Sequence, residues 1–96
     1  MNFHDLLQKM VAEQASDMFV TAKLPVSAKI NGELQPIDQH VLSAEEALGL
    51  VHSAMNEKQK LAFDDEKECN FAISIEGIGR FRVSAFWQRD MAGMVI

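Results

Sequence analysis

The feature that most constrains this chain is a pair of runs in which apolar residues occupy every second position. The apolar positions are Cys69, Phe71, Ile73 and Ile75 in the first run, and Phe81, Val83, Ala85 and Trp87 in the second. Successive side chains of a strand point to opposite faces, so each run predicts a strand with one buried face. Residues 77–79, Gly-Ile-Gly, separate the runs and predict a turn. The pattern therefore predicts an antiparallel hairpin.

The first part of the chain predicts one helix and three strands. Apolar residues at helical spacing, with Asn2 as the N-cap, predict an amphipathic helix of about three turns; they are Phe3, Leu6, Leu7, Met10 and Val11. Ser16-Asp17 predicts a turn before a strand at residues 18–21. Asn31-Gly32 lies between extended runs at residues 26–30 and 33–37. This dipeptide predicts a type I′ hairpin, because both central residues of that turn need a positive φ.

Two further helices follow. Ser43 and Glu46 have the spacing of a capping box, which predicts a helix start. Its predicted buried stripe is Ala47, Leu48, Val51, Ala54 and Met55. Asn56 and Gln59 repeat the capping pattern and predict a third, short helix that directs Leu61 and Phe63 inward.

The last segment predicts a turn around residues 90–93 and an apolar β-like run at residues 94–96. The predicted order is therefore α-β-β-β-α-α-β-β-β, an α+β fold with an antiparallel sheet and helices packed on it. The 96 residues form one predicted domain, 1–96. Because the sequence stops inside an apolar run, we expect it to be a truncated piece of a longer protein.

Composition and motifs exclude several function classes. The net charge of −5 argues against nucleic-acid binding, which needs a basic face. A single cysteine, Cys69, predicts no internal disulfide, and the start lacks the features of a signal peptide, so we expect a cytoplasmic protein. There is no P-loop motif, no ligand spacing among His4, His40 and His52, and no acid–base pair or nucleophile constellation. We therefore expect neither a metal site nor catalytic residues.

The arginines are distributed unevenly. The six lysines are scattered from Lys9 to Lys67, whereas Arg80, Arg82 and Arg89 are the only arginines. We expect all three on one late strand, with Arg80 and Arg82 on the same face. Two guanidinium groups side by side suit bidentate binding of carboxylate or phosphate. The alternative is that they are solvated, or paired with Glu68 or Glu76 on the sheet surface, and the sequence leaves both open.

Three segments resemble the N-terminal domain of type IV pilus retraction ATPases, the PilT/PilU group. They are residues 77–86 with the sequence GIGRFRVSAF, residues 15–20 with ASDMFV, and residues 31–34 with NGEL. Residues 68–74, together with Gln88-Arg89 and residues 93–95, are more similar to the PilU branch. The resemblance covers essentially the whole chain.

The resemblance implies a PAS-like domain joined, in full-length members, to a RecA-like ATPase domain that this sequence lacks. It implies hexamers that hydrolyse ATP with Mg to withdraw pilin subunits, with twitching motility as the result. The N-terminal domain is then expected to sense nucleotide and to dock on the neighbouring subunit's ATPase domain. Arg82 first, and Arg80 second, are expected to contact the nucleotide phosphates. The chain alone is expected to bind no cofactor and to have no enzymatic activity.

The resemblance also implies further partners and a location. A PilT-type paralogue and the inner-membrane pilus platform are the expected partners, with the protein cytoplasmic and peripheral at the inner membrane. The competing hypothesis is a PAS-like module that senses a small molecule or binds another protein. No convergent set of polar residues among the predicted core positions indicates such a ligand.

Overall fold

The computed structural model describes residues 2–96, and its elements follow the predicted order. In chain order they are α1 (Phe3–Ala12), β1 (Asp17–Thr21), β2 (Pro25–Ile30), β3 (Glu33–Val41), α2 (Ala44–Ser53), α3 (Glu57–Glu66), β4 (Glu68–Ile75), β5 (Gly79–Gln88) and β6 (Met91–Val95). The predicted α+β class and the order α-β-β-β-α-α-β-β-β are confirmed. No described helix is long and apolar enough to cross a membrane.

The six strands form one antiparallel sheet in the order β3-β2-β1-β6-β5-β4. The last strand, β6, therefore lies in the middle, between β1 and β5. The helices pack on one face of the sheet, where α2 contacts β6 and β1, and α3 contacts β4. The opposite face carries no described helix, so its side chains face solvent or another molecule.

The three helices begin at the capping residues that the sequence predicts. Asn2 Oδ1 accepts a hydrogen bond from the Asp5 N–H at 2.8 Å, as predicted for an N-cap. Ser43 with Glu46, and Asn56 with Gln59, form complete capping boxes. Each cap satisfies backbone donors that the first turn leaves free, and a cap of this kind contributes about 1 kcal/mol.

Two hairpin turns have both central residues in the left-handed region. Asn31 and Gly32 have φ values of 53° and 79°, which confirms the predicted turn. Arg89 and Asp90 have φ values of 53° and 62° and connect β5 to β6. The prediction of a turn around residues 90–93 is wrong in position, because Met91 pairs directly with Gln88 and starts β6. The expectation that Arg89 shares a strand with the other arginines is wrong for the same reason.

The core lies between the helices and one face of the sheet. Its largest fully buried side chains are Phe63, Leu6, Leu7, Met18, Met94, Val20 and Val51. The predicted stripe of α2 is confirmed, with Leu48 and Ala54 only partly buried. The apolar residues of β4 are also only partly buried, because β4 is an edge strand.

Two predicted core residues lie outside the core. Val11 is 49% exposed and Leu61 is 71% exposed. On α1, Phe3, Leu6, Leu7 and Met10 already fill the buried stripe. On α3, Leu61 and Phe63 are two positions apart and so point about 200° apart around the helix, which prevents both from facing inward.

Phe63 takes the inward position because it belongs to an aromatic cluster. Its ring stacks on Trp87 of β5, with ring centroids 5.7 Å apart. His52 of α2 meets the Phe63 ring edge-on at 6.2 Å. Lys67 is the C-cap of α3 with a φ of 66°, and its Nζ lies 5.0 Å from the centre of the Trp87 ring. The cluster therefore joins α2 and α3 to the sheet.

Candidate functional site

Arg80 and Arg82 project from the helix-free face of β5. They pair across the ladder with Ser74 and Ala72 of β4, and both are exposed. The alternate residues Phe81, Val83 and Ala85 are buried on the other face, with exposures of 8%, 2% and 1%. The buried row fixes the strand to the core, so the two guanidinium groups rise from a rigid support at neighbouring positions of one face.

Neither arginine has a carboxylate partner within the described residues. The ion pairs of residues 2–96 use lysine or histidine instead, at Lys9–Glu13, Lys60–Glu57, His40–Glu46 and His52–Asp64. Glu68 and Glu76, the alternative partners considered for the arginines, form no ion pair with them in this part of the chain. The two guanidinium groups therefore retain their hydrogen-bond donors for another anion.

Beside these arginines runs an open groove of about 1080 Å³, here called the arginine groove. It lies between β5 and the start of β1, and its polar lining consists of Ser16, Asp17, Asn70, Arg80, Arg82 and Ser84. Val95 and Ile96, the last two residues of the sequence, also line the groove beside Arg80 and Arg82.

Asp17 contributes the carboxylate of the arginine groove. Its Oδ2 accepts a hydrogen bond from the Ser16 hydroxyl at 2.9 Å, and its strand position lies opposite Lys29 of β2. The predicted turn lies earlier, at Glu13 and Gln14; Asp17 is instead the first residue of β1, and both Ser16 and Asp17 line the groove. An anion bound at the arginines would have this single negative charge on the opposite wall.

The histidines and the cysteine lie elsewhere. His40 Nε2 is 2.7 Å from Glu46 Oε2, and His52 Nε2 is 3.2 Å from Asp64 Oδ1. The Ser43 backbone N–H and, secondarily, the His40 side chain bond the ionised Glu46 carboxylate and lower the pKa of Glu46. Cys69 is partly buried on the helix side of β4. Within residues 2–96 no three histidine, cysteine or acidic side chains converge as metal ligands.

A second cationic surface was missed by the sequence analysis. An open groove of about 500 Å³, here called the turn groove, lies at the other end of β5. Its lining includes Lys23, Leu24, Phe86, Arg89, Met91 and Gly93. Lys23 and Arg89 are far apart in sequence, and only the β1–β6–β5 pairing brings them to one site. In the sequence, the local indication of this surface was Arg89 followed by Asp90 at the end of a strand.

No protein-family model matches the chain. Among curated proteins, the type IV pilus ATPase PilU of Pseudomonas aeruginosa is 50% identical over 96 residues, which is all of this chain and 25% of PilU. The chain is similar to the N-terminal region of PilU and PilT. PilT of the same organism, named as a type IV pilus retraction ATPase, is 33% identical over 95 residues, or 99% of this chain and 28% of PilT.

A twitching motility protein of Neisseria gonorrhoeae is 33% identical over 58 residues, which is 60% of this chain and 16% of that protein. The chain thus spans about a quarter of the length of PilU and PilT. The higher identity to PilU agrees with the resemblance of residues 68–74 to the PilU branch.

Solved structures support the fold. The crystal structure of the pilus retraction motor PilT with bound ADP aligns with a TM-score of 0.90 at 23% identity, over 99% of this chain and 28% of that one. The Legionella pneumophila ATPase DotB aligns with a TM-score of 0.76 at 20% identity, over 97% of this chain and 27% of that one. The fold of the sheet and its three helices therefore recurs as part of these two larger chains.

Proposed function

We propose that this chain is the nucleotide-sensing and inter-subunit docking domain of a hexameric ATPase that drives type IV pilus retraction and twitching motility. The similarity to PilU over the whole chain supports the class of machine. The observation that carries the nucleotide role is the pair of exposed arginines on one face of β5, free of carboxylate partners within residues 2–96. Such a pair is suited to the oxygens of a phosphate chain.

In this proposal Arg82 is the first phosphate contact and Arg80 the second. Both residues are exposed on one face of β5, where a neighbouring ATPase domain could place its nucleotide. Arg82 lies nearer the middle of the sheet, close to Ser84 and Val95, whereas Arg80 is next to the hairpin turn.

The chain itself supplies no catalytic group in this proposal. Mg requires several oxygen ligands such as carboxylates, and Asp17 is the single carboxylate in the lining of the arginine groove. ATP and Mg would therefore be held by the RecA-like domain of the full-length protein. Residues 2–96 contribute the positive charge of Arg80 and Arg82 at the phosphates. The contact between these arginines and the phosphates changes with nucleotide state and transmits that state between subunits.

The test is ATP hydrolysis by the full-length protein with Arg82→Ala and, separately, Arg80→Ala. We expect Arg82→Ala to reduce kcat by about tenfold or more; arginines that stabilise the transferring phosphate contribute on the order of 10³ to 10⁵ in rate, and a sensing role contributes less. Lys29→Ala is the matched control, since Lys29 is an exposed cation of β2 outside the arginine groove. Turnover by Arg82→Ala equal to that of the control would exclude the phosphate contact.

The proposed partners follow from the same assembly. They are the neighbouring subunit's RecA-like domain, a PilT-type paralogue and the pilus platform, with the protein cytoplasmic and peripheral at the inner membrane. A protein-interaction module without nucleotide sensing is the second candidate. The turn groove favours it, because this surface combines cations with exposed apolar side chains.

A further inference from the structure

The turn groove has the make-up of a protein-binding surface. Its lining is apolar at Phe86, Met91 and Gly93, here called the floor, and cationic at Lys23 and Arg89, here called the rim. Leu24 also lines it, with 54% of its surface exposed. An apolar centre with a polar rim, rich in methionine, arginine and aromatic residues, is typical of protein–protein interfaces.

The two cations of the rim, Lys23 and Arg89, have no ion-pair partner in the described part of the chain. Both lie in turns, with left-handed backbone φ values of 72° and 53°. The rim therefore presents positive charge on a chain whose net charge is −5, which favours an acidic partner.

The outward face of α3 has the complementary chemistry. Leu61 is 71% exposed and has no role in the core. Asp65 follows it at i+4 and therefore lies next to it on the helix surface. The last turn of α3 carries Asp64, Asp65 and Glu66 and no basic residue. Carboxylates at a helix C-terminus are disfavoured by the helix dipole, so a cation placed there is stabilising.

The residue that ends α3 does not neutralise this charge. Lys67 is the C-cap, but its ammonium group lies over the Trp87 ring at 5.0 Å. The His52 ring is 3.2 Å from Asp64, which leaves Asp65 and Glu66 without an ion pair within residues 2–96. The end of α3 therefore offers an exposed leucine beside free negative charge.

We propose that the turn groove binds the α3 end of a second copy of this chain. Leu61 enters the apolar floor beside Phe86 and Met91, and Asp65 and Glu66 meet Arg89 and Lys23. The groove is on the helix-free face of the sheet, while α3 is on the helix face. The contact is therefore head-to-tail, and repeated head-to-tail contacts produce a ring or an open chain of subunits.

This contact goes beyond the nucleotide role and does not depend on it. Arg80 and Arg82 are absent from the lining of the turn groove. Self-association can be measured on residues 1–96 without nucleotide or an ATPase domain. A negative result would therefore leave the proposed phosphate contact untouched, and loss of ATPase activity in Arg82→Ala would not affect the α3 contact.

The experiment is sedimentation equilibrium of the 96-residue chain at low and high salt, at concentrations up to about 1 mM. We expect concentration-dependent association that weakens with salt. Arg89→Glu and Leu61→Ser should each weaken it by about tenfold or more. Lys29→Glu is the matched control, because it makes the same charge change on the helix-free face outside the groove. Circular dichroism verifies that each variant is folded.

The charge swap gives the sharper result. Asp65→Lys alone should weaken association without destabilising the chain, because a cation suits the last turn of a helix. Arg89→Glu combined with Asp65→Lys should restore association. The proposal is overturned if the chain stays monomeric at about 1 mM in low salt. It is equally overturned if Arg89→Glu behaves like Lys29→Glu, or if the combined variant recovers nothing.

Discussion

The Phe86 ring covers Gly93 on the neighbouring strand, and the two residues are direct partners in the β5–β6 ladder. A Cβ at position 93 would lie 3.1 Å from Phe86 Cε2 and 2.9 Å from the Val20 carbonyl oxygen. The glycine thus lets an aromatic ring lie flat on the central strand and form the floor of the turn groove.

The first prediction concerns this pair. Gly93→Ala should lower the free energy of unfolding by about 1–3 kcal/mol, because the backbone oxygen of Val20 cannot move away as a side chain could. The measurement is urea denaturation. Gly49→Ala is the control: Gly49 is exposed in α2, and no atom lies within 4 Å of the position that an alanine methyl group would take there. That change should stabilise by about 0.5–1 kcal/mol. Equal effects of the two substitutions would contradict the prediction.

The second prediction concerns the aromatic cluster. Trp87→Ala should destabilise the chain by about 2–4 kcal/mol, since it removes the ring stacked on Phe63 and the surface beneath Lys67. Trp87→Phe should cost less, because it keeps an aromatic ring and removes an indole N–H that has no hydrogen-bond partner among residues 2–96. Thermal unfolding followed by circular dichroism ranks the two variants. A Phe variant as unstable as the Ala variant would show that stacking contributes little.

The third prediction is a pH dependence at the start of α2. The Ser43 N–H first, and the His40 side chain second, stabilise the ionised Glu46 and lower its pKa. Since the folded pKa lies below that of the unfolded chain, this stabilisation is present above the ordinary carboxyl pKa. It is lost as the pH falls through the lowered pKa of Glu46.

Glu46→Gln should flatten this part of the profile of Tm against pH. The amide still accepts the hydrogen bond from Ser43 but does not titrate. Glu45→Gln is the control, as Glu45 is also an exposed acid in the first turn of α2. If both variants keep the slope of the parent chain, the Glu46 cap does not cause the acid-side loss of stability.

Local sequence determined the elements of this protein. The caps at Asn2, Ser43 and Asn56 and the turn at Asn31-Gly32 all formed as predicted. These features depend on residues no more than a few positions apart. The position of Arg80 and Arg82 on the same face of β5 was predictable for the same reason, because side chains alternate between faces along any strand, whichever strands pair with it.

Tertiary structure decided what those elements form together. Strand order placed β6 between β1 and β5, and this brought Lys23 to Arg89 and Asp17 to the arginine groove. Packing against Trp87 turned Phe63 inward and Leu61 outward, a choice that the helical pattern of α3 alone left undecided. Hydrogen bonds between distant strands fix these relations, and a single sequence read locally carries no record of which strands pair.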